Sequence, residues 1–156
     1  MSYANGMPSA PMPSASQCRP APLAADLRVA LMRSVRRLRQ EKSSEAISDG
    51  QYAVLSVLDK HGPMTPRELA AHENVQPPSM TRTLNALVDA GLVERTDHPD
   101  DGRQVLISIS EAGAREVAET RKRRDAWLTR RLAELSAEDR EVLARAALVL
   151  REVVAR

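Results

Sequence analysis

Ser79, Arg82 and Asn85 stand at three-residue intervals, with Gln76, Pro78 and Thr81 beside them. Hydroxyl, guanidinium and amide groups are the donors that base edges in a DNA major groove, or backbone phosphates, accept. At about 100° per residue on a helix, Arg82 falls near the centre of one face, flanked by Pro78, Ser79, Asn85, Ala86 and Asp89. Met80, Leu84, Leu87 and Val88 make the opposite, apolar face. Small and short polar residues around one Arg can slide into a groove. An ordinary amphipathic surface helix has the same pattern, so the surroundings decide between the two readings.

The helix that carries these groups is predicted over 77–90. Two prolines open it, where a missing N–H has no partner to lose, and Gly91 closes it. Before it, Thr65-Pro-Arg-Glu68 has the form of a capping box with Pro at the first helical position. A short helix follows to about Glu73, and Asn74 tolerates the left-handed backbone that a tight turn requires. Helix, turn of three or four residues, helix is the helix-turn-helix spacing. Upstream, Ser48-Asp-Gly-Gln51 is another capping box, opening a helix with Tyr52, Val54, Leu55, Val57 and Leu58 that stops at His61-Gly62.

Downstream, Leu92 to Thr96 and Val105 to Ile109 are β-rich runs around a turn containing Asp101-Gly-Arg103, a hairpin signal. Leu106 makes the second run apolar on both faces, so the run is expected to pack under the helices. Arg95 either fixes the hairpin or contacts phosphate. Asp97, Asp101 and Arg103 are either a salt-bridged turn or the support and tip of a DNA-contacting wing.

Long amphipathic helices flank this middle. Leu23 to Lys42 repeats Leu23, Leu27, Ala30, Leu31, Val35 and Leu38 at helical spacing, ringed by Arg28, Arg33, Arg36, Arg37 and Arg39. That ring is a solvated face, or a contact for phosphate or carboxylate. Ser110-Glu111 caps a long helix whose middle, Glu119 to Asp125, is almost wholly charged, a pattern suited to a strut between lobes. Its Arg121-Lys-Arg-Arg124 run reads as a solvated strut face or as a nucleic-acid patch. Ser136 caps a last helix with Leu143, Ala147, Leu150 and Val154 on one stripe. The flanking helices carry more apolar surface than a small lobe would bury, which predicts dimerisation through Leu23, Leu27 and Leu31 with Leu143, Ala147, Leu150 and Val154. The expected organisation is a flexible Pro-rich arm over 1–22, an N-terminal dimerisation helix and connection over 23–47, a winged helix-turn-helix over 48–110, and C-terminal dimerisation helices over 111–156. The fold class is mostly α with a small β-hairpin wing.

The chain's 156 residues, 42% of them apolar, suit one domain or two small lobes sharing a core. With no Phe, one Trp and two Tyr, the aromatic platforms of single-stranded nucleic-acid modules are missing. A net charge of +2 leaves the nucleic-acid question to local placement. One cysteine, Cys18, excludes an intramolecular disulfide and fits a reducing cytoplasm. No run is long and apolar enough for a membrane span.

Taken together, Leu69 to Val75, Pro77 to Arg82, Leu87 to Arg95 and Asp100-Asp-Gly-Arg-Gln-Val-Leu-Ile-Ser-Ile-Ser110 resemble the MarR-type transcriptional regulators, over roughly Leu23 to Arg156. The acidic residue, any residue, then Arg at the wing tip is the most specific part. The resemblance implies a homodimeric double-stranded DNA-binding protein, in most members a repressor at a pseudo-palindromic promoter site. It places the helix from Pro77 in the major groove and Arg103 in the adjacent minor groove, with Asp101 orienting the wing. It implies DNA contacts from Gln76, Pro78, Ser79, Thr81, Arg82, Asn85, Arg95 and Arg103. It also implies release by a small phenolic or anionic ligand lying between the lobes, for which Arg28, Arg33, Arg36 and His61 are the candidate contacts.

No phosphate loop, paired-Cys metal motif or nucleophile elbow occurs, so an enzyme is not expected, nor is a cofactor or metal. His61, His72 and His98 fall on separate elements and read as surface or turn residues. Two rival readings are kept: a winged-helix interaction module that no longer binds DNA, and a thiol redox sensor using Cys18. The intact basic wing opposes the first. The position of Cys18 in the Pro-rich leader, without the stabilising surroundings a reactive thiolate needs, opposes the second.

Overall fold

The computed structural model describes residues 9–42, 47–97 and 104–155. The elements are α1 (Pro20–Arg39), α2 (Asp49–His61), α3 (Pro66–His72), α4 (Pro77–Asp89), β1 (Val93–Asp97), β2 (Val105–Ile109), α5 (Glu111–Ala133) and α6 (Ala137–Val154). The chain is mostly helical with one antiparallel two-stranded wing, as expected. It divides into two compact units, Glu41–Arg123 and the segments on either side of it.

The central unit holds the core. Val54, Leu55 and Leu58 of α2, Leu69 of α3, Met80, Leu84 and Leu87 of α4, Val93 of β1, Ile107 of β2 and Val117 of α5 are all buried together. Each large apolar side chain taken out of water contributes about 1.5–3 kcal/mol before entropy is counted. Both capping boxes form. Ser48 Oγ accepts from Gln51 N while Gln51 Oε1 accepts from Ser48 N. Thr65 and Glu68 make the same reciprocal pair at the start of α3. Asn74 has φ 52°, the left-handed residue of the turn between α3 and α4, and Gly91 at φ 68° ends α4.

This unit extends beyond 48–110 at both ends. Ile47, the last residue of the expected connection, is buried in the core. At the other end Gly113, Val117 and Thr120 of α5 are buried in it. Residues 43–46 of the expected connection lie outside the described residues.

The wing pairs Val93 with Ile109 through to Asp97 with Val105. The inward side chain of β2 is Ile107, fully buried, whereas Leu106 is only half-buried; the strand's period of two puts those neighbours on opposite faces. Met64, just before α3, forms an isolated bridge with Ile107, donating to its carbonyl at 3.0 Å and accepting from its N–H at 2.8 Å. No sequence pattern announces a one-residue strand.

In the other unit, α1 begins at Pro20 rather than Leu23, because Pro20 and Pro22 are tolerated in a first helical turn that lacks partners for its N–H groups anyway. The described part of the arm carries a turn in which Ser14 N–H donates to Gln17 Oε1 at 2.8 Å. Further back, Ser9 Oγ and Ala10 N–H donate to Asp139 Oδ1 at the start of α6, at 3.2 and 3.3 Å. Arg37 lies 4.8 Å over the Trp127 ring, and Arg131 lies 5.9 Å from it. Neither α1 nor α6 contains a buried residue. Leu23, Leu27, Leu31, Leu143 and Val154 are exposed.

Candidate nucleic-acid interface

The positioning of α4 follows from its two faces. Met80, Leu84 and Leu87 are buried against the core, so the opposite side must face outward. Gln76, Pro78, Ser79, Thr81, Arg82, Asn85, Ala86 and Asp89 are all exposed. Gln76 is the N-cap, but its side chain makes no cap hydrogen bond. Its carbonyl instead accepts from Ser79 N and Met80 N. The expected outward face therefore exists as one continuous strip on one helix.

Within that strip the polar groups are not equivalent. Thr81 Oγ1 donates to Pro77 O at 3.0 Å, so its proton is spent inside the helix. Thr81 thus presents an acceptor and a methyl group rather than the donor read from sequence. Such back-bonding to the carbonyl four residues earlier is a habit of helical Thr. Arg82 has no hydrogen bond or ion pair among the described residues and is the strip's open cation.

Arg95 has a partner on α4. From β1 its Nη2 donates to Asn85 Oδ1 at 2.6 Å. Because an Arg side chain has donors only, the Asn85 oxygen must face it and the Asn85 amide hydrogens face elsewhere. Arg95 therefore ties the wing to α4, and the tie is on the exposed surface. Asp97 ends β1 opposite Val105 and is exposed. Asp101, Arg103 and His98 lie outside the described residues.

Three further ties hold the wing. Ser110 Oγ donates to Gly91 O at 2.7 Å and accepts from Gly113 N at 3.1 Å. Gly113 sits so close to the hairpin that an added Cβ would overlap the Leu92 carbonyl and come within 2.9 Å of Ile109 Cγ1. The Met64–Ile107 bridge joins the approach to α3 to β2.

Among the other candidates, Arg28, Arg33 and Arg36 are exposed on α1. His61 and His72, expected to be isolated, are neighbours: their ring centroids are 5.4 Å apart with the planes tilted by 56°. They end α2 and α3, and only the packing of those helices brings the two ends together. His72 Nδ1 is also 3.4 Å from Glu73 Oε1. Cys18 is exposed, immediately before α1. Among the described residues no group of three or more His, Cys, Asp or Glu could hold a metal ion, and no helix is long and apolar enough to cross a membrane.

Comparison with known proteins places this arrangement. The family model described as MarR family matches residues 47–105. An HTH-type transcriptional regulator of Mycobacterium bovis is 48% identical over 125 residues, covering 80% of this chain and 87% of that protein. The crystal structure of a transcriptional regulator from Pseudomonas aeruginosa is similar with a TM-score of 0.76 at 34% identity, covering 86% of this chain and 95% of the other. A cysteine-substituted MarR of E. coli, crystallised with operator DNA, is similar with a TM-score of 0.64 at 27% identity, covering 85% and 94%. With a winged helix-turn-helix core and relatives of this closeness along most of its length, the chain belongs to the MarR family of HTH-type transcriptional regulators.

Proposed function

We propose that the protein is a homodimeric, sequence-specific repressor that covers a pseudo-palindromic promoter site. One observation carries this reading: the outward strip of α4, with Gln76, Pro78, Ser79, Arg82 and Asn85 exposed, is turned to solvent by a buried opposite face. In a major groove Arg82 suits the guanine edge, and Ser79 and the free amide hydrogens of Asn85 suit acceptors on bases or phosphates. Arg103 at the wing tip suits the negative potential of the adjacent minor groove. The operator-bound MarR of E. coli supports the same use of the fold.

The homodimer rests on the terminal unit. Helices α1 and α6 bury no side chain within one copy, yet they expose Leu23, Leu27, Leu31, Leu143, Val153 and Val154. A second copy is the partner that would cover these stripes and set two α4 helices about one DNA turn apart. Release by a small phenolic or anionic molecule is part of the proposal, with the exposed Arg28, Arg33 and Arg36 as its cationic contacts. A cytoplasmic protein acting at the nucleoid is the setting it implies.

The test is footprinting of the purified protein on genomic DNA, followed by titration of the site it protects. Arg82→Ala and Arg103→Ala should each weaken binding about 10-fold or more, on the order of 1–3 kcal/mol for a base contact, while sedimentation still shows a dimer. Wild-type affinity in both variants would overturn the assigned face.

A further inference from the structure

Arg67 has no role in the reading above. It is the second residue of α3, exposed, with no hydrogen bond or ion pair among the described residues. Its neighbour Glu68 does not neutralise it, because the Glu68 carboxylate turns back to Thr65, accepting from its N–H at 2.8 Å and its hydroxyl at 2.9 Å. Two surface hollows meet at Arg67. One, about 260 Å³, has Ala70 and Ala71 along it and ends at Gln76 and Pro77, where α4 starts. The other, about 470 Å³, runs from Thr65 and Pro66 to Gln104 and Val105, where β2 leaves the turn of the wing. The Met64–Ile107 bridge holds the start of α3 beside β2, so this placement belongs to the fold and not to a loop.

A DNA duplex supplies the complement. The ridge between a major groove and its adjacent minor groove is one sugar–phosphate backbone. If α4 enters the major groove and the wing the minor groove, the protein surface between the two faces that backbone. Arg67 is the cation on this strip, and the small side chains of Ala70 and Ala71 leave room for close approach. We infer that Arg67 is a backbone-positioning residue, holding a phosphate of the strand that passes between α4 and the wing. This rests on the proposed DNA-binding function and adds to it a contact that carries no sequence information.

The experiment measures affinity against salt concentration for the full chain on its footprinted site and on an unrelated duplex. Variants are Arg67→Ala, Arg67→Lys, and Lys60→Ala as a control for loss of one positive charge on the exposed end of α2. Arg67→Ala should weaken both duplexes by the same factor and flatten the slope of log affinity against log salt by about 0.9 for each protomer bound. Arg67→Lys should restore most of the slope, and Lys60→Ala should leave it near the parent's. An Arg67→Ala slope equal to the parent's, or a loss confined to the footprinted site, overturns the inference while leaving the function standing. A parent that binds neither duplex overturns both.

Discussion

Arg95 on β1 and Asn85 on α4 share a hydrogen bond of 2.6 Å on the exposed side of the central unit. The bond ties the wing to the helix whose outward strip carries the open donors. It also turns the Asn85 carbonyl toward Arg95, which leaves the amide hydrogens for an outside partner. The two residues should therefore act as a unit in DNA binding. Asn85→Ala, Arg95→Ala and the double variant form a cycle on the operator duplex, with a coupling energy expected at about 0.5–1.5 kcal/mol. Thermal midpoints should move little, since an exposed polar pair contributes under about 1 kcal/mol to folding. Strict additivity in binding would show that each residue meets DNA alone.

Gly113 is the point where α5 touches the hairpin. Its missing side chain lets the helix approach the Leu92 carbonyl and Ile109. Gly113→Ala puts a methyl group where backbone stands, so α5 must shift away from the wing. Such overpacking costs about 1–3 kcal/mol, although Ala is the better helix former. Denaturant unfolding should show the loss. A neutral or stabilised variant would mean that α5 and the hairpin separate freely.

The contrast between Gly113 and Gly91 explains what was legible beforehand. Gly91 follows a periodic run and precedes a strand, so its role as a helix stop is written in neighbouring residues. Gly113 sits inside a helix, and its requirement comes chiefly from the Leu92 carbonyl at the start of the hairpin. The same division runs through the chain. Both capping boxes, the turn at Asn74, the hairpin and the apolar face of α4 were readable because each depends on spacing within a few residues. The Met64–Ile107 bridge, the burial of Ile47, the pairing of His61 with His72 and the Asn85–Arg95 bond were not, because each joins elements that meet only after folding. Arg67 was hidden differently: it was seen only as a member of a capping box, and its surroundings come from the start of α4 and the start of β2.

Ser110 joins the end of α4 to α5 through one hydroxyl. It donates to the Gly91 carbonyl and accepts from the Gly113 N–H, while its own N–H reaches the Leu92 carbonyl at 3.0 Å. The residue is 9% exposed, so water cannot readily replace the lost partner. Ser110→Ala leaves the buried Gly113 N–H without its partner and the part-buried Gly91 carbonyl with one fewer, at a cost of about 1–3 kcal/mol. Ser110→Thr, which keeps the hydroxyl, should recover most of it. Equal stability of the Ala and Thr variants in urea would remove Ser110 from the ties that hold the wing.

Asp139 gives the terminal unit one pH-sensitive contact. Its carboxyl is held below the ordinary carboxylate range, first by the Ser136 hydroxyl; desolvation pulls it up, and the Ala10 N–H and the Ser9 hydroxyl pull it down further. A carboxyl whose folded-state pKa lies below its unfolded value stabilises the fold fully above the unfolded value. That contribution is lost as pH falls through the folded value. Asp139→Asn should therefore lower the thermal midpoint at pH 7, and the gap between variant and parent should close as the pH drops through and below the carboxylate range. Because Ser9 and Ala10 bind the same oxygen, Asp139→Asn should also speed hydrogen exchange at the Ala10 amide. A midpoint gap that stays constant from pH 7 to pH 2 would show that the charge of Asp139 does not hold the arm to α6.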